Sequence, residues 1–432
     1  MDLLSYLKSE AEQVEVAEIR NEATSIEFEA NKLKGSTVEE TSGTAVRVVR
    51  HGRLGFAASS DQEAMNKLAS NVMESASYGD AIPIHFAGPE TGAPVRAFDP
   101  DIAALPIGQL VEMGRQMIEM MVAVEPESRV NVSLNRGIQR ISVRTHAGAE
   151  VAFDRSPLSI YVELARVQND DVLILYDMLG TTISGDDLLA PARYIREKLE
   201  QSKRMTTIRS GDMPVLFSPS GMLALGLPLM EGLDGKNVYT GVSPMAGKTG
   251  EKLFDEKLTV RDDGTLDGKL GSAPYDDEGI PHRRNTLIDH GVLKNFLYDL
   301  KTAAQSGVQP TGNGARALFN PPGIAPTNFL IEPGHESLEA MISGIDEGLL
   351  VEDLLGIGQG NILSGAFSNP VALAFKIEKG EIAGRVKDVS IAGNAYDLLK
   401  NIAAVSKETR WVYNTLCAPY ILLPGMNVVS KN

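Results

Sequence analysis

Six histidines and one cysteine are the residues of this 432-residue chain best suited to hold a metal or act as a nucleophile, and their spacing limits what they can do. No H-E-x-x-H occurs, and no two histidines are spaced to share one helix face. His51, His146 and His290 each adjoin a glycine at a predicted hairpin tip, where a solvated polar side chain is the ordinary occupant. His85 and His335 lie in or beside loops containing Pro or Gly. His282, within DDEGIPHRRN, differs because Asp276, Asp277, Glu278 and Arg283 surround it. A salt-bridged acidic turn and a relocated metal site are both open for that segment. His282 and His290 would stand about 26 Å apart on one strand, so only a turn could bring them together.

Nucleophilic chemistry finds even less support. G-x-S-x-G is absent, and SPSGM and ILSGAF offer serines with no base beside them, as strand-end and N-cap residues do. GIGQGNILSGAFS, from Gly356 to Ser368, lacks the Lys-Ser/Thr pair of a phosphate loop and the spacing of a dinucleotide turn. Its glycines permit positive φ and close backbone approach. Two readings fit: a tight β-corner, or a groove in which an extended peptide lies against a sheet edge, with Gly356, Gly358, Ser364 and Gly365 as candidate contacts.

The elements that would position these residues read as a mixture. Leu3, Leu4 and Leu7 have helical spacing, and VEVAEIRNEATSIEFEANKL alternates as strands do. TAVRVVRHGRLGFAAS reads as a hairpin with His51-Gly52 at its tip, and Ser60 with Glu63 as a capping box before a helix. A Pro/Gly-rich connection follows, then the amphipathic helix IGQLVEMGRQMIEMMVAV, whose methionines read as core filler. Next come β-rich stretches with turns expected at Asn135-Arg136-Gly137 and His146-Ala147-Gly148, and a charged helix. MPVLFSP reads as a buried strand. VRDDGTLDG, NTLIDHGVLKNFLYD and LAFKIEKGEIAGRV read as hairpins, ESLEAMISGIDEGLL and NAYDLLKNIAAVS as helices. The fold class is therefore α+β, with boundaries expected near residues 100 and 210: an N-terminal domain (1–100), a central segment (101–210) and a C-terminal domain (211–432).

Composition narrows the classes of partner. A net charge of −16 opposes direct nucleic-acid binding, and the single Cys417 excludes a disulfide framework or a cysteine-rich zinc site. No apolar run reaches membrane-spanning length, and the N-terminus has no basic segment leading into an apolar one, so the expectation is a cytoplasmic protein without a membrane association.

Taken in order, SGTAVRVVRHGRLGFAAS, GEKLFDEKLTVRDDGTLDG, SAPYDDEGIPHRRNTLIDHGVLKNFLYD, QPTGNGAR, GIGQGNILSGAF and VSIAGNAYDLLKNI resemble the TldD/PmbA family over nearly the whole chain. Members are described as modulators of DNA gyrase and as zinc-peptidase subunits. The resemblance implies an N-terminal α+β region and a larger C-terminal region with a strongly curved, mainly antiparallel mixed sheet. It also implies a dimer whose two chains enclose a cavity that admits unfolded peptide. TldD-type chains of the family carry a His-Glu-x-x-x-His motif; PmbA/TldE-type chains lack it. Registered through Gly232-Leu233-Asp234-Gly235 and Gly250-Glu251, the motif falls on GLPLME: Gly226 replaces the first His, Leu227 the Glu base and Glu231 the second His. One remaining carboxylate does not hold zinc. The family's third ligand is a C-terminal Cys, but Cys417 matches its last strand, so a small apolar role is expected there. The resemblance thus implies no catalytic residue and no cofactor on this chain, and zinc on a TldD-like partner. Alternatives are an autonomous homodimer that binds peptide or another ligand without catalysis, and a peptidase whose metal site has moved to His282, Asp276, Asp277 and Glu278. Because Pro228 interrupts GLPLME and there is no metal to justify a widened turn, the helix there is expected to be irregular or broken.

Overall fold

The protein is described here by a computed structural model covering residues 2–61 and 63–431. Two sheets organise it. The first has seven strands: β1 (Gln13–Glu29), β2 (Lys32–Arg50), β3 (Arg53–Ser59), β4 (Arg129–Thr145), β5 (Glu150–Arg155), β6 (Leu158–Gln168) and β7 (Asp171–Thr181). All of its pairings are antiparallel, in the order β3-β2-β1-β4-β6-β7 with β5 on the far part of β4. Alternation along β6 explains why it forms: Leu158, Ile160, Val162 and Leu164 are fully buried while the residues between them are not. Helices α1 (Leu3–Leu7), α2 (Met65–Tyr78), α3 (Pro100–Ala103), α4 (Ile107–Val122) and α5 (Ala190–Gln201) cover this sheet, and Met117 and Met121 of α4 lie at zero exposure in the core.

The second sheet has eleven strands. It opens with β8 (Gly211–Phe217), continues with β9 (Val260–Asp263), β10 (Arg284–Asp289) and β11 (Val292–Leu293), and resumes at β14 (Phe329–Ile331) after a separate ribbon of β12 (Gly314–Ala315) and β13 (Gly323–Ile324). β15 (Glu347–Leu354), β16 (Ala366–Glu378), β17 (Glu381–Val386), β18 (Val389–Asn394), β19 (Ala404–Val412) and β20 (Leu416–Ser430) complete it. The pairs β14–β20 and β15–β8 are parallel, the others antiparallel. Curvature goes further than the sequence suggested. β20 pairs with β18, β18 with β16, β16 with β15, β15 with β8, and β8 returns to β20, so five strands close a ring while β14, β9, β10 and β11 run off β20 as an arm. Helices α6 (Leu223–Leu233), α7 (Gly235–Tyr239), α8 (Leu300–Ser306), α9 (Leu338–Ser343) and α10 (Ala395–Leu398) decorate this half. None of the helices among the described residues is long and apolar enough to cross a membrane.

Several local expectations change. The turn expected at Asn135–Gly137 is uninterrupted strand, because β4 pairs with β1 and β6 through it and Gly137 lies opposite Ala23. VRDDGTLDG is a strand followed by a turn, its partners being β10 and β14. ESLEAMISGIDEGLL is helical only as far as Ser343 and then becomes β15, and NAYDLLKNIAAVS holds only the short α10 before β19. Ser60 and Glu63 form no capping box; α2 begins at Met65 without a side-chain cap. The tips at His51-Gly52, His290-Gly291 and Lys379-Gly380 take paired positive φ values, as two-residue hairpins require. Position 100 lies between strands of one sheet, since β1 pairs with β4 across it, whereas Gly211 opens the second sheet.

A buried ionic cluster joins the two halves. Arg47 of β2 donates through Nε to Glu15 of β1 at 2.9 Å and through Nη1 to Glu278 at 2.6 Å, and Arg316 Nη2 also reaches Glu15 at 2.6 Å. All four side chains are at most 2 % exposed. Removing one partner strands charges where water cannot reach them. We expect Arg47→Met to lower stability by about 3–5 kcal/mol, read as a fall in the urea unfolding midpoint.

A second cluster has a different sensitivity. Burial alone would raise the Asp171 carboxyl, but hydrogen bonds and charge from Arg385, with Lys387 and Arg166, win and hold it down to about 2. A depressed folded pKa contributes stability above the ordinary value of 3.8 that disappears as pH falls toward 2. The difference in Tm between the wild type and Asp171→Asn should therefore be full at pH 5 and shrink through that acid window.

Candidate functional site

Strand β8 is buried along its second half and delivers the chain to Ser218, whose Oγ accepts from Gly221 N–H at 3.2 Å and starts the turn into α6. This helix is nearly all apolar because it is covered on most sides: Leu223, Ala224, Leu225, Gly226, Pro228, Leu229, Gly232 and Leu233 are buried. Contrary to the expected break, α6 runs without interruption from Leu223 to Leu233 with Pro228 inside it. Pro228 has no N–H to offer the Ala224 carbonyl. Its own carbonyl instead receives the Tyr396 hydroxyl at 2.6 Å, and packing around the helix supplies the stability that the missing bond does not.

The three positions registered to the metalloprotease motif point in different directions. Gly226 faces the start of β20, where an added Cβ would stand 3.2 Å from Leu416. Leu227 lies half-buried in a groove. Glu231 is exposed and accepts a hydrogen bond from Asn237 Nδ2 at 3.2 Å. One carboxylate, with no imidazole beside it, is not a zinc donor set, so these residues do not fit the metal. Cys417 offers no substitute: Leu416 is the β20 residue that meets Gly226, and alternation turns the next side chain to the other face. There Cys417 is half-buried rather than fully enclosed, and burial pushes its thiol up.

The groove beside Leu227 has a volume of about 450 Å³. Its other wall is the glycine-rich segment. Gly356, Gly358 and Gly365 line it together with Phe367, Leu223 and Pro228, whereas Gly226, Glu231 and Ser364 do not. Gly356, Gly358, Gly360 and Gly365 all take positive φ, and Asn361 Oδ1 accepts from Ser364 N–H to close the short 3-10 turn. Tyr396 stitches the two walls, since its hydroxyl lies 2.6 Å from the Pro228 carbonyl and 3.1 Å from that of Leu363. Sequence reading missed this residue; NAYDLL gave only an Asn N-cap and helical spacing as signals. Among the described residues none that lines the groove is ionisable; its polar contributors are Gln359, Ser368 and Asn369. Such a surface offers apolar and backbone contacts to a ligand and no carboxylate, imidazole or amine for proton transfer.

The groove also meets an open strand edge. Ala366–Pro370 of β16 pair with β18 on one side, while β15 joins the opposite side only from Val371 onward. Leu355 N–H donates to the Pro370 carbonyl at 2.9 Å, which fixes the side that residue faces. Alternation then turns the Ser368 N–H and C=O the same way, over the groove.

The acidic loop is elsewhere and is built differently. Asp276 accepts from the N–H groups of Glu278, Ile280 and Gly314, each at 2.9 Å. Asp277 Oδ2 accepts from Arg316 N–H at 2.9 Å, and Glu278 Oε2 from Leu300 N–H at 2.7 Å. Asp276, Asp277 and His282 line one cavity; Glu278 turns away to Arg47. Burial, reinforced by Arg155, lowers the His282 imidazole to about 4, so it is neutral at physiological pH. Among the described residues, no group of three His, Cys, Asp or Glu side chains is arranged to hold a metal ion.

Gly365 gives a direct test of the groove wall. An added Cβ would approach Tyr396 Cδ2 to 2.5 Å at a φ of +72°. Gly365→Ala should cost more than about 1 kcal/mol, measured by urea unfolding.

Comparisons with known proteins converge on this architecture. Residues 210–430 match the model of the PmbA/TldA metallopeptidase C-terminal domain, and residues 14–76 match PmbA/TldA metallopeptidase domain 1. A metalloprotease of Methanothermobacter thermautotrophicus is 26% identical over 94% of this chain and 91% of its own. The metalloprotease PmbA homolog of Buchnera aphidicola is 28% identical over 51% of this chain and 46% of its own. The solved structure of TldE from Thermococcus kodakarensis superposes with a TM-score of 0.90 over 99% of both chains at 25% identity.

Proposed function

We propose that this chain, which belongs to the PmbA/TldD metallopeptidase family, is a non-catalytic PmbA/TldE-like subunit that holds unfolded peptide for a TldD-like partner. The observation that supports the reading is the groove on α6, lined by apolar side chains and glycine-rich backbone beside an open strand edge, with no ionisable group among its lining residues. The zinc and the cleavage chemistry then belong to the partner, where bound zinc would activate water.

The open edge at Ala366–Pro370 supports an extended peptide as the ligand. Strand addition would satisfy the Ser368 backbone groups without reading sequence, and Leu227, Ile357 and Phe367 would take alternate apolar side chains. Likeness to the Thermococcus TldE structure favours the PmbA/TldE branch.

Co-expression with a TldD-like chain from the same genome tests the proposal. We expect a stable complex that contains zinc and cleaves unfolded peptides, while this chain alone does neither. Leu227→Arg should weaken peptide capture by about tenfold or more with the complex intact. Stoichiometric zinc and peptidase activity in the isolated chain would sink the proposal. A peptide-binding homodimer that ignores the TldD-like chain would replace it with an autonomous binding role.

A further inference from the structure

The cavity beside the acidic loop holds an arginine with nothing to bind. Arg155 ends β5 of the first sheet and, with Phe153 of the same strand, faces a space of about 130 Å³ whose remaining walls come from the second half of the chain. Its Nε is enclosed and has no hydrogen-bond partner, and among the described residues its side chain joins no hydrogen bond or ion pair. Asp277 is close enough to feel its charge but too far to pair with it. Burial pulls the guanidinium down from its ordinary pKa, as expected of a cation lacking its counterion.

Nearby polar groups do not share this condition. Asn313 donates to Asp262 Oδ2 at 2.7 Å and accepts from Thr311 at 2.8 Å, and Thr327 is held by both Asp262 oxygens at 2.8 Å. The wall is therefore rigid and satisfied, and two groups stand out: Arg155 and the enclosed, unpartnered Nδ1 of His282. A buried donor left unused is uncommon in folded proteins and calls for an occupant.

We propose that this cavity binds a small α-amino acid, of glycine or alanine size, whose carboxylate takes the Arg155 guanidinium and whose ammonium faces Asp277. Charge decides between occupants. A simple anion would pair with Arg155 but meet Asp276 and Asp277, and a simple cation would do the reverse. A zwitterion satisfies both sides. The space equals the share of about four liquid waters, which suits such a molecule. Because Arg155 belongs to one half and Asp277 to the other, the ligand would bridge them.

Calorimetric titration of the full chain at constant ionic strength tests the site with glycine, L-alanine, acetate and methylammonium as probes. We expect saturable binding of glycine or alanine, at least about tenfold tighter than either single-charge probe. Arg155→Gln should abolish it, and Ala325→Leu, which fills the cavity from the opposite wall, should do the same. Absence of amino-acid binding to the wild type, equal binding of acetate, or undiminished binding by Arg155→Gln would each overturn the proposal. Should Arg155→Gln fail to fold, the wild-type selectivity series and Ala325→Leu decide. Neither residue lies in the α6 groove, so failure here leaves the peptide reading intact.

Discussion

The joint between the two halves of this molecule depends on two arginines and two glutamates buried where the sheets meet. Arg47 stands between Glu15 and Glu278, and Arg316 returns to Glu15 from the second half. Arg47 also lies over the Phe86 ring, 4.9 Å from its centroid. The cost of removing these charges from water is offset chiefly at Arg47, which pairs with both glutamates, and at Glu15, which pairs with both arginines. Burial raises the Glu278 carboxyl despite Arg47, whereas Glu15, with two arginines, is held below its ordinary range. Glu278 in turn receives the Leu300 N–H that opens α8, so the clasp fixes the acidic loop, α8 and the β1–β2 ribbon in one stroke.

That constraint separates two sites that a reading of residue types tends to merge. The acidic loop looks reactive in sequence, yet Asp276 is taken by three N–H groups and Glu278 by Arg47 and the Leu300 N–H, which makes these two an architectural joint. The α6 groove looks inert, and its inertness is informative. With Gly226, Leu227 and Glu231 at the positions registered to the motif, this part of the metallopeptidase-family fold presents a shaped apolar groove and no imidazole.

Much of this was legible from local patterns. Hairpin tips such as His51-Gly52 and His290-Gly291 declare themselves because only a few residue pairs adopt their backbone angles. The missing imidazoles were equally plain, since absence of a residue type needs no tertiary information. What escaped detection depends on partners distant in sequence. Gly137 reads as a turn until β1 is placed on one side of it and the Pro157 carbonyl, which accepts its N–H, on the other. Pro228 reads as a break until the burial of α6 and the Tyr396 hydroxyl are known. Arg47 and Glu15 gave no warning, since each holds the polar place in a Val-x-Val alternation, and the pairing of Arg47 with Glu278 spans 231 residues. The groove itself joins segments from Leu223 and Pro370, and no window of sequence contains both.

The ring of β8, β15, β16, β18 and β20 also imposes an order on synthesis. β20 follows every other strand in the chain and touches both β18 and β8, so the circle stays open until its residues leave the ribosome. The first sheet needs no such wait, because all its strands precede residue 182. Until then Gly226 lacks its Leu416 neighbour, and the apolar flank of α6 is bare to the cell. A nascent chain of this design carries its adhesive surface longest on the flank of α6 that β20 will cover.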